Sequence, residues 1–235
     1  MTPVFAADSI GKSFRGRPVL TAASVWAHAG RITVLLGRNG SGKTTLLRIG
    51  AGVLAPDHGV IRFAGEAYER PRLDRLARQG LFYLPDRALL SRRLTLRQHF
   101  QAMRWSFGPL DVARTAGDLD VERFLDERTD TLSGGERRRA EIALAVARSP
   151  LCLLADEPIT EMGPNDAAAI AAALRYLARQ GAAIVLTGHE VPDLLALADD
   201  VVWLTAGTTH GLGSPAAAIT HDQFRREYLG PGTSR

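Results

Sequence analysis

Three apolar runs in this chain each end in residues equipped for phosphate chemistry. Ile32-Thr33-Val34-Leu35-Leu36 opens into Gly37-Arg38-Asn39-Gly40-Ser41-Gly42-Lys43-Thr44, Leu151-Cys152-Leu153-Leu154-Ala155 into Asp156-Glu157-Pro158, and Ala183-Ile184-Val185-Leu186 into Thr187-Gly188-His189. The first has the spacing of a phosphate-binding loop between a strand and a helix. Glycines are needed there because backbone N–H groups must turn inward round an anion, and side chains would block the approach. The helix that follows, beginning Thr45-Leu46-Leu47, adds its unpaired N–H groups and positive dipole end. Gly37, Asn39, Gly40, Ser41, Gly42 and Thr45 thus stand as candidate phosphate-binding positions. Lys43 is placed to reach the β- and γ-phosphates of a nucleotide, and the Thr44 hydroxyl to bind Mg2+. Lys12 and Lys43 are the only lysines among 29 Lys+Arg residues. A compact ammonium where the chain otherwise uses arginine points to a need for a point charge instead of a planar fork.

Two carboxylates directly after an apolar strand cost several kcal/mol to desolvate unless a cation meets them. Mg2+ held by Thr44 and a triphosphate is such a cation. Asp156 would bind it through water, and Glu157 would orient and activate the attacking water. His189 could hydrogen-bond the γ-phosphate or that water, or be a plain loop histidine. Ligands in open α/β sheets bind beyond the carboxyl ends of the strands, so the three polar ends are expected to converge.

Leu132-Ser133-Gly134-Gly135-Glu136 carries a capping box, Ser133 with Glu136, at the start of a helix running through Ala147. Two glycines in a first turn weaken a helix by about 1 kcal/mol each. Arg137, Arg138 and Arg139 sit near a dipole end that disfavours cations. Both oddities resolve if an external anion docks at Ser133, Gly134 and Gly135, and a second copy of the chain would bring it. Phe14, in the segment Lys12–Arg17, reads as a turn aromatic that either stacks on adenine or folds back onto the sheet.

These residues need a scaffold of alternating strands and helices around a mostly parallel sheet. Strand signals fall at Val4–Ala7, Pro18–Leu20, Ser24–Trp26, Val60–Phe63, Leu81–Leu84 and Val201–Leu204. Helix signals fall at Arg72–Gln79, Asn165–Gln180, Glu190–Ala198 and Asp222–Leu229. Residues 94–129 carry helical spacing without strand character and read as an all-helical insertion, broken at Phe107-Gly108-Pro109. The length of 235 residues suits one large domain.

Hydrophobic content of 46% and charged content of 23% are ordinary for a soluble globular chain. No apolar stretch is long enough to span a membrane, and no basic segment followed by an apolar core marks a signal peptide. The single cysteine, Cys152, excludes an internal disulfide and reads as a small core residue. The net charge of +4 permits an acidic partner, but the arginines are scattered, so no direct nucleic-acid partner is expected.

With these residues placed, the chain resembles the ATP-binding subunits of ABC transporters over nearly its whole length. GRNGSGKTT is similar to the Walker A motif, LSGGE to the family signature, and LCLLADEP to Walker B with its catalytic glutamate. His189 matches the switch histidine and Phe14 the aromatic A-loop position. The resemblance implies a P-loop NTPase with an N-terminal antiparallel β subdomain and a helical subdomain at about 87–131. It implies ATP and Mg2+ as ligands, and a head-to-tail dimer with ATP between Walker A and the opposing signature. Separate membrane-spanning subunits would dock at about Asp86 to Phe100, with Arg92, Arg93 and Leu94, on the cytoplasmic side of the inner or plasma membrane. The sequence flavour is similar to lipopolysaccharide-export and branched-chain amino-acid import ATPases.

Two positions depart from the family pattern. Asp86 stands where a glutamine is usual, and would ligate the metal more tightly or slow hydrolysis. Gly163 stands where the D-loop usually has an aspartate. The pair raises slow turnover, or pairing with a different ATP-binding subunit, against a homodimer; near-normal turnover by a purified homodimer would exclude both. A soluble ABC-type protein acting on nucleic acid or ribosomes, and a regulatory module without turnover, are the alternatives. The single ATP site and the intact Glu157 and His189 count against them.

Overall fold

A computed structural model describes residues 2–87, 89–111, 119–160, 162–189 and 191–229. Glu161, Glu190 and part of the expected helical insertion lie outside the described residues. One sheet of ten strands runs through the molecule in the order β5-β4-β1-β2-β10-β9-β3-β8-β7-β6. Its antiparallel part is made by β1 (Phe5–Phe14), β2 (Arg17–Ala27), β4 (His58–Phe63) and β5 (Glu66–Tyr68). The other half contains β3 (Ile32–Leu36), β6 (Leu81–Leu84), β7 (Cys152–Ala155), β8 (Ala183–Thr187), β9 (Asp200–Thr205) and β10 (Thr208–Gly213). From β9 through β3, β8 and β7 to β6 every pairing is parallel.

Strands buried on both faces should be continuously apolar, and β3, β7 and β8 are buried at every position. The two-residue period divides their side chains between two cores. Ile32, Val34, Leu36, Leu153, Ala155, Ile184 and Leu186 join one, with α4 (Gly134–Arg148) and α5 (Pro164–Arg179). Leu35, Leu154 and Val185 join the other, with Phe5, Ile10 and Phe63 of the antiparallel strands and Leu46, Leu47 and Ile49 of α1 (Lys43–Gly50). Cys152 lies fully inside this second core, where burial pushes its thiol well above the usual range.

Smaller helices complete the layers: α2 (Leu73–Arg78), α3 (Leu96–Phe107), α6 (Val191–Leu197) and α7 (Pro215–Thr220). Between β6 and α4 the described residues form α3, one 3-10 turn at Glu122–Phe124 and an isolated bridge from Thr95 to Arg128. Three expectations need correction. The first two strands form one long hairpin, so Phe14 is the last residue of β1, opposite Arg17, and not a turn residue. The short β5 (three residues) and α7 (six residues, Pro-Ala-Ala-Ala-Ile-Thr) gave no signal, the first too short for its period and the second with little contrast between faces. The C-terminal segment is a single turn of helix, Asp222–Phe224, followed by a π turn, Arg225–Leu229.

Candidate functional site

Register sets the site. Leu35 of β3 lies opposite Thr187 of β8, Leu186 opposite Ala155 of β7, and Ala155 opposite Leu84 of β6. Four parallel strands therefore end level, and Gly37, Gly188, Asp156 and Pro85 all emerge on one edge. A cleft of about 1070 Å³ opens there. Its walls include Phe14, Asn39, Gly40, Gly42, Lys43, Thr44, Thr45, Asp86, Gly134, Glu157 and His189.

The loop from Gly37 turns through two glycines of positive φ, Gly40 and Gly42. Gly42 is the N-cap of α1 in the left-handed region, with φ of 106°, and no side chain caps that helix. A Cβ at Gly42 would lie 2.8 Å from Leu20, so the loop can press against β2 only with glycine there. Lys43 is buried, and its ammonium donates to the carbonyls of Gly37 (2.7 Å) and Arg38 (3.4 Å). Burial lowers its pKa, while the charges of Glu157 and Asp156 pull the other way. Ser41 Oγ is buried without a hydrogen-bond partner. Such an atom is expensive to leave unpaired and suits a loop that awaits an acceptor.

Asp156 is fully buried. Its Oδ1 accepts a 2.6 Å bond from the Thr187 hydroxyl, and its Oδ2 has no partner. Burial raises its pKa above the usual carboxylate range, the Thr187 and Thr44 hydroxyls oppose this, and the charges of Glu157 and Asp86 add to it. A carboxylate so placed fits a cation. Among the described residues no cluster of three or more His, Cys, Asp or Glu could hold a metal alone. Mg2+ is usually held by one or two carboxylates together with substrate phosphates and water.

Glu157 is held in a left-handed backbone conformation, φ 49°, that a side-chain-bearing residue adopts only when its surroundings impose it. Its N–H donates to Thr187 Oγ1 at 3.0 Å. Its carboxylate lies 3.5 Å from His189 Nδ1, and both side chains reach the cleft. Asp86 lines the same cleft and pairs with Arg87 at 3.4 Å. Phe14 is exposed at the cleft mouth and does not fold back onto the sheet. Gly163 is the N-cap of α5, with open space where a side chain would stand.

The start of α4 has the expected capping box. Ser133 Oγ accepts from Glu136 N–H, and Glu136 Oε2 accepts from the Ser133 N–H. The argument for an external anion needs correction here. Arg137 donates to the carbonyls of Thr129 and Leu132, Arg139 to that of Leu119, and Arg139 also pairs with Asp166 at 3.0 Å. Arg138 is buried and wholly engaged inside the protein. Gly135 is likewise explained from within, since a Cβ there would lie 1.9 Å from Asp166 Oδ2 on α5. Of the two glycines, Gly134 is the one with open space at the cleft, which Arg137, Arg138 and Glu141 of the same helix also line. Ser133 and Gly135 do not line the cleft of their own chain.

Sequence reasoning missed two supports. Thr187 ties Asp156 to Glu157 by bonding both, and the only signal was a hydroxyl closing an apolar strand. Tyr228 donates its phenol proton to the Gly37 carbonyl at 3.1 Å from the far end of the chain, stacked on Phe224.

Comparison with known proteins places this geometry. A family model described as ABC transporter matches residues 20–160. The lipopolysaccharide export system ATP-binding protein of Haemophilus influenzae is 31% identical, covering 97% of both chains. A probable ABC transporter ATP-binding protein of Azorhizobium caulinodans is 35% identical over 96% of this chain and 82% of its own. The crystal structure of a nucleotide-free ATP-binding cassette from an ABC transporter superposes with a TM-score of 0.82 at 19% identity, covering 98% of this chain and 96% of that one. An ATP-binding cassette in its ADP conformation gives 0.85 at 19% identity, over 98% and 100%.

Proposed function

The chain belongs to the ABC transporter family, and on that premise we propose which residues do its work. It is an ATP-binding and ATP-hydrolysing subunit that powers transport across a membrane together with separate membrane-spanning subunits, and it acts as a dimeric ATPase. No described helix is long and apolar enough to cross a membrane. Our reading puts the chain at the periphery of the inner or plasma membrane, on its cytoplasmic side.

In this reading the adenine of ATP stacks on Phe14 and the triphosphate occupies the loop from Gly37 to Thr45. Lys43 exchanges its loop carbonyls for phosphate oxygens. Thr44 and Asp156 would hold Mg2+, with Asp86 adding negative charge nearby. Bound there, Mg2+ would neutralise charge on the phosphates. Glu157 accepts the proton of the attacking water, and His189 holds the γ-phosphate side of that water. Ser133, Gly134 and Gly135 of a second copy, packed head to tail, close the open wall of the cleft. The helical subdomain at about 87–131 meets the membrane subunits. The second copy is the same chain or a different ATP-binding subunit.

The observation that carries this reading is the level ending of four parallel strands. It gathers an uncapped glycine loop, an orphaned buried carboxylate oxygen and a strained glutamate in one cleft. Steady-state hydrolysis by Phe14→Ala tests it. Stacking of a base on an aromatic ring contributes about 1–3 kcal/mol, so the KM for ATP should rise about tenfold with kcat within about twofold. A fall in kcat at unchanged KM would contradict the placement of the adenine.

A further inference from the structure

We propose that Arg138 is the positioning residue that sets Glu157 for hydrolysis, by gripping the backbone at the ends of β6 and β7 together. This deepens the reading of Glu157 as the group that activates water. Arg138 lies one turn into α4, and its side chain is only 6% exposed. Its Nε donates to the Pro158 carbonyl at 3.3 Å. One terminal nitrogen donates to the carbonyls of Asp156 (2.7 Å) and Glu157 (3.0 Å), the other to the Pro85 carbonyl (2.7 Å) and Glu141 Oε2 (2.8 Å). A guanidinium has five N–H donors in a fixed plane, and all five are used.

The acceptors show what the grip is for. Three are the successive carbonyls of Asp156, Glu157 and Pro158, which bracket the left-handed residue. On the opposite side the Thr187 hydroxyl takes the Glu157 N–H and donates to Asp156. The peptide that aims the Glu157 side chain is therefore fixed from both faces, and an unfavourable φ persists because it is over-determined. The fourth carbonyl, Pro85, precedes Asp86, so β6 and β7 are tied to each other through one side chain. Glu141 lies one turn along α4 and is buried as deeply as Arg138. It balances the charge and fixes the plane of the fork. Arg138 lines the cleft, but with no donor left over it positions the backbone and does not bind phosphate.

Arg138→Lys and Arg138→Gln test this against Glu157→Gln in the full chain, with kcat counted per molecule of bound ATP. Lysine keeps the charge but offers three donors from one point, and cannot span five acceptors. Misplacing a catalytic group by about 1 Å costs about a hundredfold, so kcat should fall about 10- to 100-fold in both variants. ATP affinity should stay within about threefold, because the glycine loop is untouched. Glu141→Gln, which keeps an acceptor for the guanidinium, should stay within about fivefold of wild type. A purely structural role would reduce the fraction of molecules that bind ATP without changing turnover per bound ATP. That result, beside an inactive Glu157→Gln, would overturn the role of Arg138 alone. Unimpaired hydrolysis by Glu157→Gln would overturn both this role and the reading of Glu157 on which it rests.

Discussion

Glu157→Gln is expected to abolish ATP hydrolysis while ATP still binds and holds two copies closed. The amide matches the carboxylate in shape, and the backbone bonds from Arg138 and Thr187 do not involve the side chain. The loop, Lys43 and Asp156 are untouched, so binding persists. What disappears is the cleft carboxylate placed beside His189 to take a proton from water. General-base catalysis contributes about 10²–10⁴-fold, and turnover should fall by that factor. Rapid-quench assays would measure the rate, and size-exclusion chromatography with ATP the trapped dimer. Undiminished hydrolysis would remove Glu157 from the mechanism.

Lys43→Gln should act one step earlier, on binding. Lys43 is a buried cation at the loop, and its ammonium donates to the carbonyls of Gly37 and Arg38. Burial has already lowered the lysine pKa, so its charge is costly until an anion meets it. Truncating one partner of a buried, hydrogen-bonded charge pair costs about 2–5 kcal/mol, or about one and a half to three and a half orders of magnitude in ATP affinity. Isothermal titration with ATP would read the loss. Affinity within a few-fold of wild type would place the phosphates elsewhere.

Much of the parallel half and of the cleft was legible in the residues. Ile32–Leu36, Cys152–Ala155 and Ala183–Thr187 are continuous apolar runs because both faces are covered, and each ends in residues that an apolar core cannot hold unpaired. What stayed hidden depended on distant partners. Arg138 looked like a misplaced charge at a helix start, because its acceptors are carbonyls of residues 85 and 156–158, invisible to any local pattern. Gly135 looked like a gap left for a ligand, whereas Asp166 on another helix occupies the space. Phe14 looked like a turn because the bulges along β1 interrupt its alternation. Thr187 offered only a hydroxyl at the end of an apolar strand, and Tyr228 gave no warning, since a hydroxyl declares its role through what it touches.

The central claim is that the catalytic cleft is completed across two copies of the chain, and mixing two inactive variants tests it most directly. Lys43→Gln disables the glycine loop. Gly134→Asp places a carboxylate at the start of α4, where open space admits it without strain and where it would repel phosphate. Each variant alone should be inactive. In a head-to-tail pair of the two, one site combines the intact loop of one chain with the intact α4 start of the other. Random pairing makes half the dimers mixed, so activity should return to about a quarter of wild type. If the mixture stays as inactive as its components, two copies of this chain do not share a site and the account is wrong.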